Sequence, residues 1–112
     1  MEIVDLSFQF DKNNNRIVFN TECRLSSISQ QKAVYSLLQY LSREHVSMFT
    51  LDMSVIEILD LSAELFIYQI VKLLKKNKDK SLIIRTNDQS YQQRKLIKNI
   101  LKIDQNVRLE FV

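Results

Sequence analysis

The sequence predicts a single α/β domain on a mixed, mainly parallel sheet, with helices packed on it and elements in the order ββαβαβαβ. Three observations predict it. After an opening pair of strand-like segments, short apolar runs alternate with longer helical patterns, as right-handed crossovers between parallel strands require. The chain has 112 residues, enough for one hydrophobic core and too few for two, so residues 1–112 are expected to form one domain. Hydrophobic residues make up 46% and charged residues 26%, a balance that lets a chain pack rather than stay disordered.

Each element follows from local pattern. Residues 3–10 alternate, with Val4, Leu6, Phe8 and Phe10 on one parity and Ile3, Asp5, Ser7 and Gln9 on the other, which predicts a strand with one buried face. The Asn13-Asn14-Asn15 turn leads into 16–22, where Ile17 and Phe19 oppose Val18, and the two segments form a hairpin. Ser27 and Ser29 are candidate N-caps for a helix running to about residue 44, with Ala33, Val34, Leu37, Leu38 and Leu41 on one face. Residues 47–53 read as a strand, followed by the apolar stretch 55–59. A second helix over about 61–76 is apolar almost all round, and Lys75, Lys76, Lys78 and Lys80 suit the negative end of its dipole. The nearly continuous apolar run 81–86 predicts a buried parallel strand. A third helix, 90–102, turns Leu96, Ile97, Ile100 and Leu101 inward, and 106–112 closes the sheet with Val107, Leu109 and Phe111 on one face.

The chain has neither glycine nor proline. Phosphate-cradling loops need glycine so that backbone N–H groups can close on the ligand, so a P-loop, a dinucleotide fingerprint and a Gly-x-Ser-x-Gly elbow are all excluded. Turns at positive φ fall to Asn and Asp, the next most tolerant residues: Asn13 to Asn15, Asn77 with Asp79, Asn87-Asp88 and Asn106. No apolar run approaches the roughly 18 residues of a membrane span, and residues 1–5 do not resemble a secretory signal. The single cysteine, Cys23, forbids internal disulfides and is expected to pack as a small apolar residue in a reducing compartment. A cytoplasmic location is expected. His45 and Cys23 form no metal or nucleophilic pattern, and Asp52 and Asp60 fall where strand ends and helix starts use carboxylates structurally. Neither metal, cofactor nor enzymatic activity is expected.

Charge is uneven. Residues 1–70 hold 5 Lys/Arg against 9 Asp/Glu, and residues 71–112 hold 11 against 4, which suggests two faces of one domain. On the third helix Arg94, Lys98 and Lys102 stand in i, i+4, i+8 register beside Lys95, as a nucleic-acid face would require. Tyr91 is the only aromatic beside them, so no stacking platform is offered and a solvated outer face is expected instead.

One segment carries a family resemblance: Phe49-Thr50-Leu51-Asp52, then Asp60-Leu61-Ser62-Ala63 opening a helix. With the element order, it resembles the STAS domain of anti-sigma-factor antagonists, in which a strand ending in Asp is followed by Asp-Ser-Ser-Gly. Asp52 matches the strand-end Asp, Asp60 the motif Asp and Ser62 the second motif Ser. Leu61 and Ala63 depart from the first Ser and the Gly. Cys23-Arg24-Leu25 resembles the family's Gly-Glu-Leu, with Cys23 in place of glycine, and the family's last helix is lacking. The resemblance implies that Ser62 is phosphorylated by a partner kinase which binds the unmodified form.

Elementary electrostatics is compatible with that role. A serine in the first turn of a helix lies where N–H groups are unpaired and anions are favoured, and a phosphate adds about −1.5 to −2 charges. Asp52, Glu57, Asp60 and Glu64 would repel it, so the new charge would act on an approaching partner. Without phosphorylation, Asp60 and Ser62 are ordinary capping residues. The expected docking rim is Asp60, Leu61, Ala63, Glu64, Leu65 and Tyr68, because the second helix has more apolar positions than one sheet face can cover. The expected partner is a protein, of the serine kinase/anti-sigma-factor type. The rivals are a non-switching structural STAS subunit of a complex or homodimer, and a nucleic-acid-binding module using the basic C-terminal part.

Overall fold

Two short strands, β1 (Phe8–Asp11) and β2 (Arg16–Phe19), pair antiparallel across the asparagine turn. The computed structural model describes residues 7–43, 47–77 and 81–112. The expected strand positions 3–6, the first helix's end at Glu44, His45, Lys78, Asp79 and Lys80 lie outside the described residues. The Asp11 carboxylate accepts from Asn13 N at 3.0 Å and from Asn14 Nδ2 at 2.6 Å, while Asn15 takes a φ of 50°. That is the left-handed region in which Asn is tolerated when glycine is absent. No other described residue has positive φ, so the remaining asparagine and aspartate turns work through side-chain hydrogen bonds. Asn87 Oδ1, for example, accepts from Gln89 N at 3.0 Å, and Asp104 Oδ1 from Asn106 N at 2.9 Å.

Beyond the hairpin come β3 (Glu22–Cys23), α1 (Ile28–Arg43), β4 (Met48–Asp52), β5 (Ile58–Leu59), α2 (Leu61–Lys76), β6 (Ser81–Thr86), α3 (Tyr91–Ile103) and β7 (Arg108–Phe111). The main sheet has the strand order β1-β2-β4-β6-β7, parallel everywhere except at β1. Each helix thus links neighbouring parallel strands in the same direction across the sheet. Right-handed crossovers then put all of them on one face. Burial agrees, since Ile17, Phe19, Phe49, Leu51, Leu82 and Ile84 are buried under the helices while Arg16, Val18, Thr50, Ile83 and Arg85 on the opposite face are half-exposed. The main-sheet order is ββαβαβαβ, as expected.

Two expectations need correction. The segment 16–22 does not continue as one strand, because after Asn20 N donates to Ser7 O the chain leaves the hairpin. Thr21 O then accepts from Glu57 N at 2.8 Å and Ile58 N at 3.0 Å. This starts a second, two-stranded sheet in which β3 pairs parallel with β5, Cys23 opposite Leu59. The segment 55–59 is therefore partly strand. Phe111 is also not buried with Val107: it lies at the end of the edge strand β7 and is 59% exposed.

α2 is the central helix. Phe66 meets Phe8 and Phe19 with ring centroids 5.2 and 6.1 Å apart, while Ile67, Ile70, Val71 and Leu74 fill the sheet-facing side. α1 contributes Val34, Leu37 and Leu41, and α3 contributes Leu96 and Ile100. Polar side chains are buried here too, Gln30 on α1 and Gln93 on α3 among them. Gln93, near the start of α3, is 1% exposed and fully engaged. Its Oε1 accepts from Thr86 Oγ1 at 2.9 Å and Asn87 N at 2.7 Å, and its Nε2 donates to Ser54 O at 3.0 Å and Ile56 O at 3.1 Å. It joins β6 to the connection between β4 and β5. Replacing Gln93 with Leu takes a partner from the Ser54 and Ile56 carbonyls, the Asn87 N–H and the Thr86 hydroxyl, at about 1–3 kcal/mol for each group left buried and unpaired. Urea unfolding should show a loss of at least about 2 kcal/mol for Gln93→Leu, against less than about 0.5 kcal/mol for Gln92→Leu beside it. Equal effects would contradict the role given to Gln93.

Candidate functional site: the N-terminus of the central helix

The expected docking rim sits where α2 begins, at the carboxyl end of the parallel strands. Asp60 is the N-cap of α2, with extended backbone, and its Oδ1 accepts from Ala63 N at 2.8 Å. The same carboxylate reaches across to the segment after β3, accepting from Leu25 N at 3.0 and 3.2 Å, and it also bonds Ser26. Asp60 N closes the ring by donating to Cys23 O at 3.0 Å. Cys23-Arg24-Leu25 and the start of α2 are thus one hydrogen-bonded unit, with Leu25 and Cys23 buried beneath it. Burial opposes ionisation of Asp60, but the donors from Ala63, Leu25 and Ser26 outweigh it and hold the carboxyl below its ordinary value.

The rest of that unit is also tied down. Ser7 Oγ donates to Arg24 O and accepts from Arg24 N, both at 2.9 Å, and Gln31 donates to Leu25 O. Ser27 is the residue that caps α1, accepting from Gln30 N at 3.3 Å, whereas Ser29 lies inside the helix. Cys23 packs as an inert thiol: burial, with the Asp60 charge adding to it, pushes the thiol up to about 12.

On this base the predicted residues separate into two groups. Leu61, 69% exposed, and Leu65, 50% exposed, stand one turn apart on the outer ridge of α2, and Ser62 lies half-buried between them in sequence. The Ser62 hydroxyl has no hydrogen-bond partner among the described residues. Ala63 is fully buried and offers a partner no side-chain surface, because the third position of this helix points into the sheet; it leaves the expected rim. Glu64 and Tyr68 turn toward α3. Tyr68 donates to Glu64 Oε1 at 2.7 Å and accepts from Asn99 Nδ2 at 3.0 Å, which commits both side chains to the helix–helix contact.

Asp52 belongs to neither group. At the end of β4 it pairs with Arg16 on the open face and accepts from Ser54 N at 3.0 Å and Ser54 Oγ at 2.6 Å. Burial raises its carboxyl, yet the Ser54 and Arg16 contacts bring it below the ordinary value. With Arg85 opposite Asp52 in register and Glu110 opposite Arg85, the open face carries a ladder of alternating charge. Periodicity alone did not reveal this ladder, because its members lie on separate strands. The role of Gln93 does not follow from periodicity either, although Ser90-x-x-Gln93 is a capping-box spacing. Gln93 N does donate to Ser90 Oγ at 3.3 Å, but the glutamine side chain is spent on Asn87, Thr86 and the β4–β5 connection.

The basic residues expected on the third helix, Arg94, Lys95, Lys98 and Lys102, are all exposed. Arg94 donates to Asp88 O at 2.7 Å. Among the described residues no cluster of His, Cys, Asp and Glu is arranged to hold a metal, and no helix is long and apolar enough to cross a membrane. The chain matches no protein-family model, no curated protein and no solved structure.

The Asp60 clamp makes a pH-dependent contribution to stability. Because the folded carboxyl is held below the usual aspartate value of about 3.9, this contribution is complete above about pH 5 and is lost as pH falls through the folded value. At neutral pH Asp60→Ala should cost about 1–2 kcal/mol, the range for losing an N-cap. In thermal unfolding followed by circular dichroism, the gap between wild type and variant should narrow below about pH 4. A gap unchanged at acid pH would show that the ionised carboxylate is not what holds the two segments.

Proposed function

We propose that the protein is a regulatory docking module of the STAS type, resembling an anti-sigma-factor antagonist, which binds a serine kinase/anti-sigma-type partner through the first turns of α2. One observation carries this reading: Leu61 and Leu65 are exposed on either side of Ser62, on a helix start fixed by Asp60. Leucines on an outer helix ridge gain nothing from the protein's own core, and a preordered backbone lowers the entropic cost of binding. The expected cytoplasmic location is part of the same proposal.

Ser62 would be the switch. Its hydroxyl is free of internal duties, so adding a phosphate there breaks no hydrogen bond described above. The helix dipole favours an anion in the first turn by about 0.3–1 kcal/mol, so the helix itself should tolerate the modification. The effect falls on the partner. A group of charge about −1.5 to −2 beside two exposed leucines must be desolvated or repelled when an apolar surface closes over them. The Asp60 carboxylate beside it adds to the repulsion.

Affinity purification from the native host with wild-type, Ser62→Ala and Ser62→Asp baits, read by quantitative mass spectrometry, tests the proposal. A kinase-like partner should come down with wild type and Ser62→Ala and be depleted about tenfold or more with Ser62→Asp, a change equivalent to about 1.4 kcal/mol. Recovery of the same partners by all three baits would leave Ser62 as a helix-start residue in a non-switching scaffold. Partners that are nucleic acids, lost with salt and with Arg94, Lys98 and Lys102 changed, would replace the docking reading altogether.

A further inference from the structure

Along the helical layer, away from Ser62, the ridge of α2 continues into a trough shared with α1. It has a volume of about 410 Å³, and its apolar lining comes from Tyr35, Leu38 and Leu73, with Gln69, Lys72 and Lys76 along the α2 side. Tyr35 is 63% exposed, and its hydroxyl accepts from Gln39 Nε2 at 2.7 Å, so the ring is held rather than loose. Leu38 and Leu73 are half-buried. Leu61 and Leu65 stand nearer the N-terminus of α2, outside this lining.

Among the described residues of α1 and α2, the charge around this trough has one sign. Across α1 and α2 the basic residues are Lys32, Arg43, Lys72, Lys75 and Lys76, and the single carboxylate is Glu64. Glu64 is engaged by Tyr68 on the side of α3, away from the trough. Lys75 also turns to α3, donating to Ile103 O. Lys72 and Lys76 form no ion pair among the described residues.

We infer that this trough receives an acidic amphipathic helix of a protein partner. Leucine-like residues of that helix would lie on Tyr35, Leu38 and Leu73, and its Asp or Glu residues would flank them against Lys72 and Lys76. This presupposes the protein-docking reading above, but it concerns the opposite half of the helices from Ser62. The lining spans residues 35–42 of α1 and 69–76 of α2, so the trough itself takes about two turns of a partner helix, roughly 12 Å. A second copy of this chain is the wrong occupant, because two such faces would bring Lys72 and Lys76 against their own kind. Nucleic acid is also a poor fit, since a phosphate backbone satisfies the lysines but leaves Leu38 and Leu73 uncovered.

The test is selection from a library of 18-residue helical peptides, leucines fixed at i, i+4, i+7 and i+11 and flanking positions varied among Glu, Lys and Gln. The full chain should enrich Glu over Lys at the flanks by about fivefold, the scale of two exposed ion pairs. With Lys72→Glu and Lys76→Glu combined, both exposed and in no ion pair among the described residues, the preference should reverse toward Lys. Ser62→Asp should leave the selection unchanged, so a failure here is separable from a failure of the Ser62 switch. No enrichment, a preference for Lys, or a Glu preference that survives the double substitution would overturn the assignment.

Discussion

The carboxylate of Asp60 is the constraint on which the presentation of the site depends. It caps α2 through Ala63 N and at the same time holds Leu25 N and Ser26 from the far side of the small sheet. Among the described residues Asn15 alone takes a positive φ, and a chain with no glycine or proline has few special backbone conformations with which to set its loops. It sets them with side chains that take backbone groups: Asp60, Gln93, Ser7, Gln31 and Asp52 each tie a connecting segment to a neighbouring element. Buried polar groups must be paired, and here the pairing itself fixes the loops.

The one-sided architecture follows from the crossovers and has a functional consequence. With all the helices on one face, α2 lies between α1 and α3 and has to bury one side in the sheet, one against each neighbour, and leave one in water. Its sequence supplies more leucines than the first three of these need. Those at 61 and 65 stay exposed, and Leu73 is left half-buried at the edge of the α1 contact. The opposite face of the sheet, by contrast, carries cross-strand charges, with Arg16 on Asp52 and Arg85 near Glu110.

Much of this was legible in the sequence because periodicity survives into packing. The alternation in 16–19, the apolar run 81–86 and the helical faces of all the helices fold as their spacing implies, and so does the excess of apolar positions on α2. What could not be read depends on tertiary partners. The β3–β5 sheet exists because Thr21 O finds Glu57 N and Ile58 N, a pairing between segments too short to show a period. Ala63 reads as a rim residue beside Leu61 but turns inward by the rotation of the first helical turn. Glu64 and Tyr68 look available, but Asn99 of α3 donates to Tyr68 and Tyr68 donates to Glu64.

The central claim is that α2, through its exposed N-terminal ridge and its trough with α1, is the surface on which a partner lands. Hydrogen exchange of the full chain, alone and with the partner recovered from its host, tests this most directly. The account predicts slowed exchange confined to backbone amides of 61–65 and 69–76 and to the facing turns of α1. Slowing instead on the open face of the sheet, or along the basic ridge of α3, would contradict it.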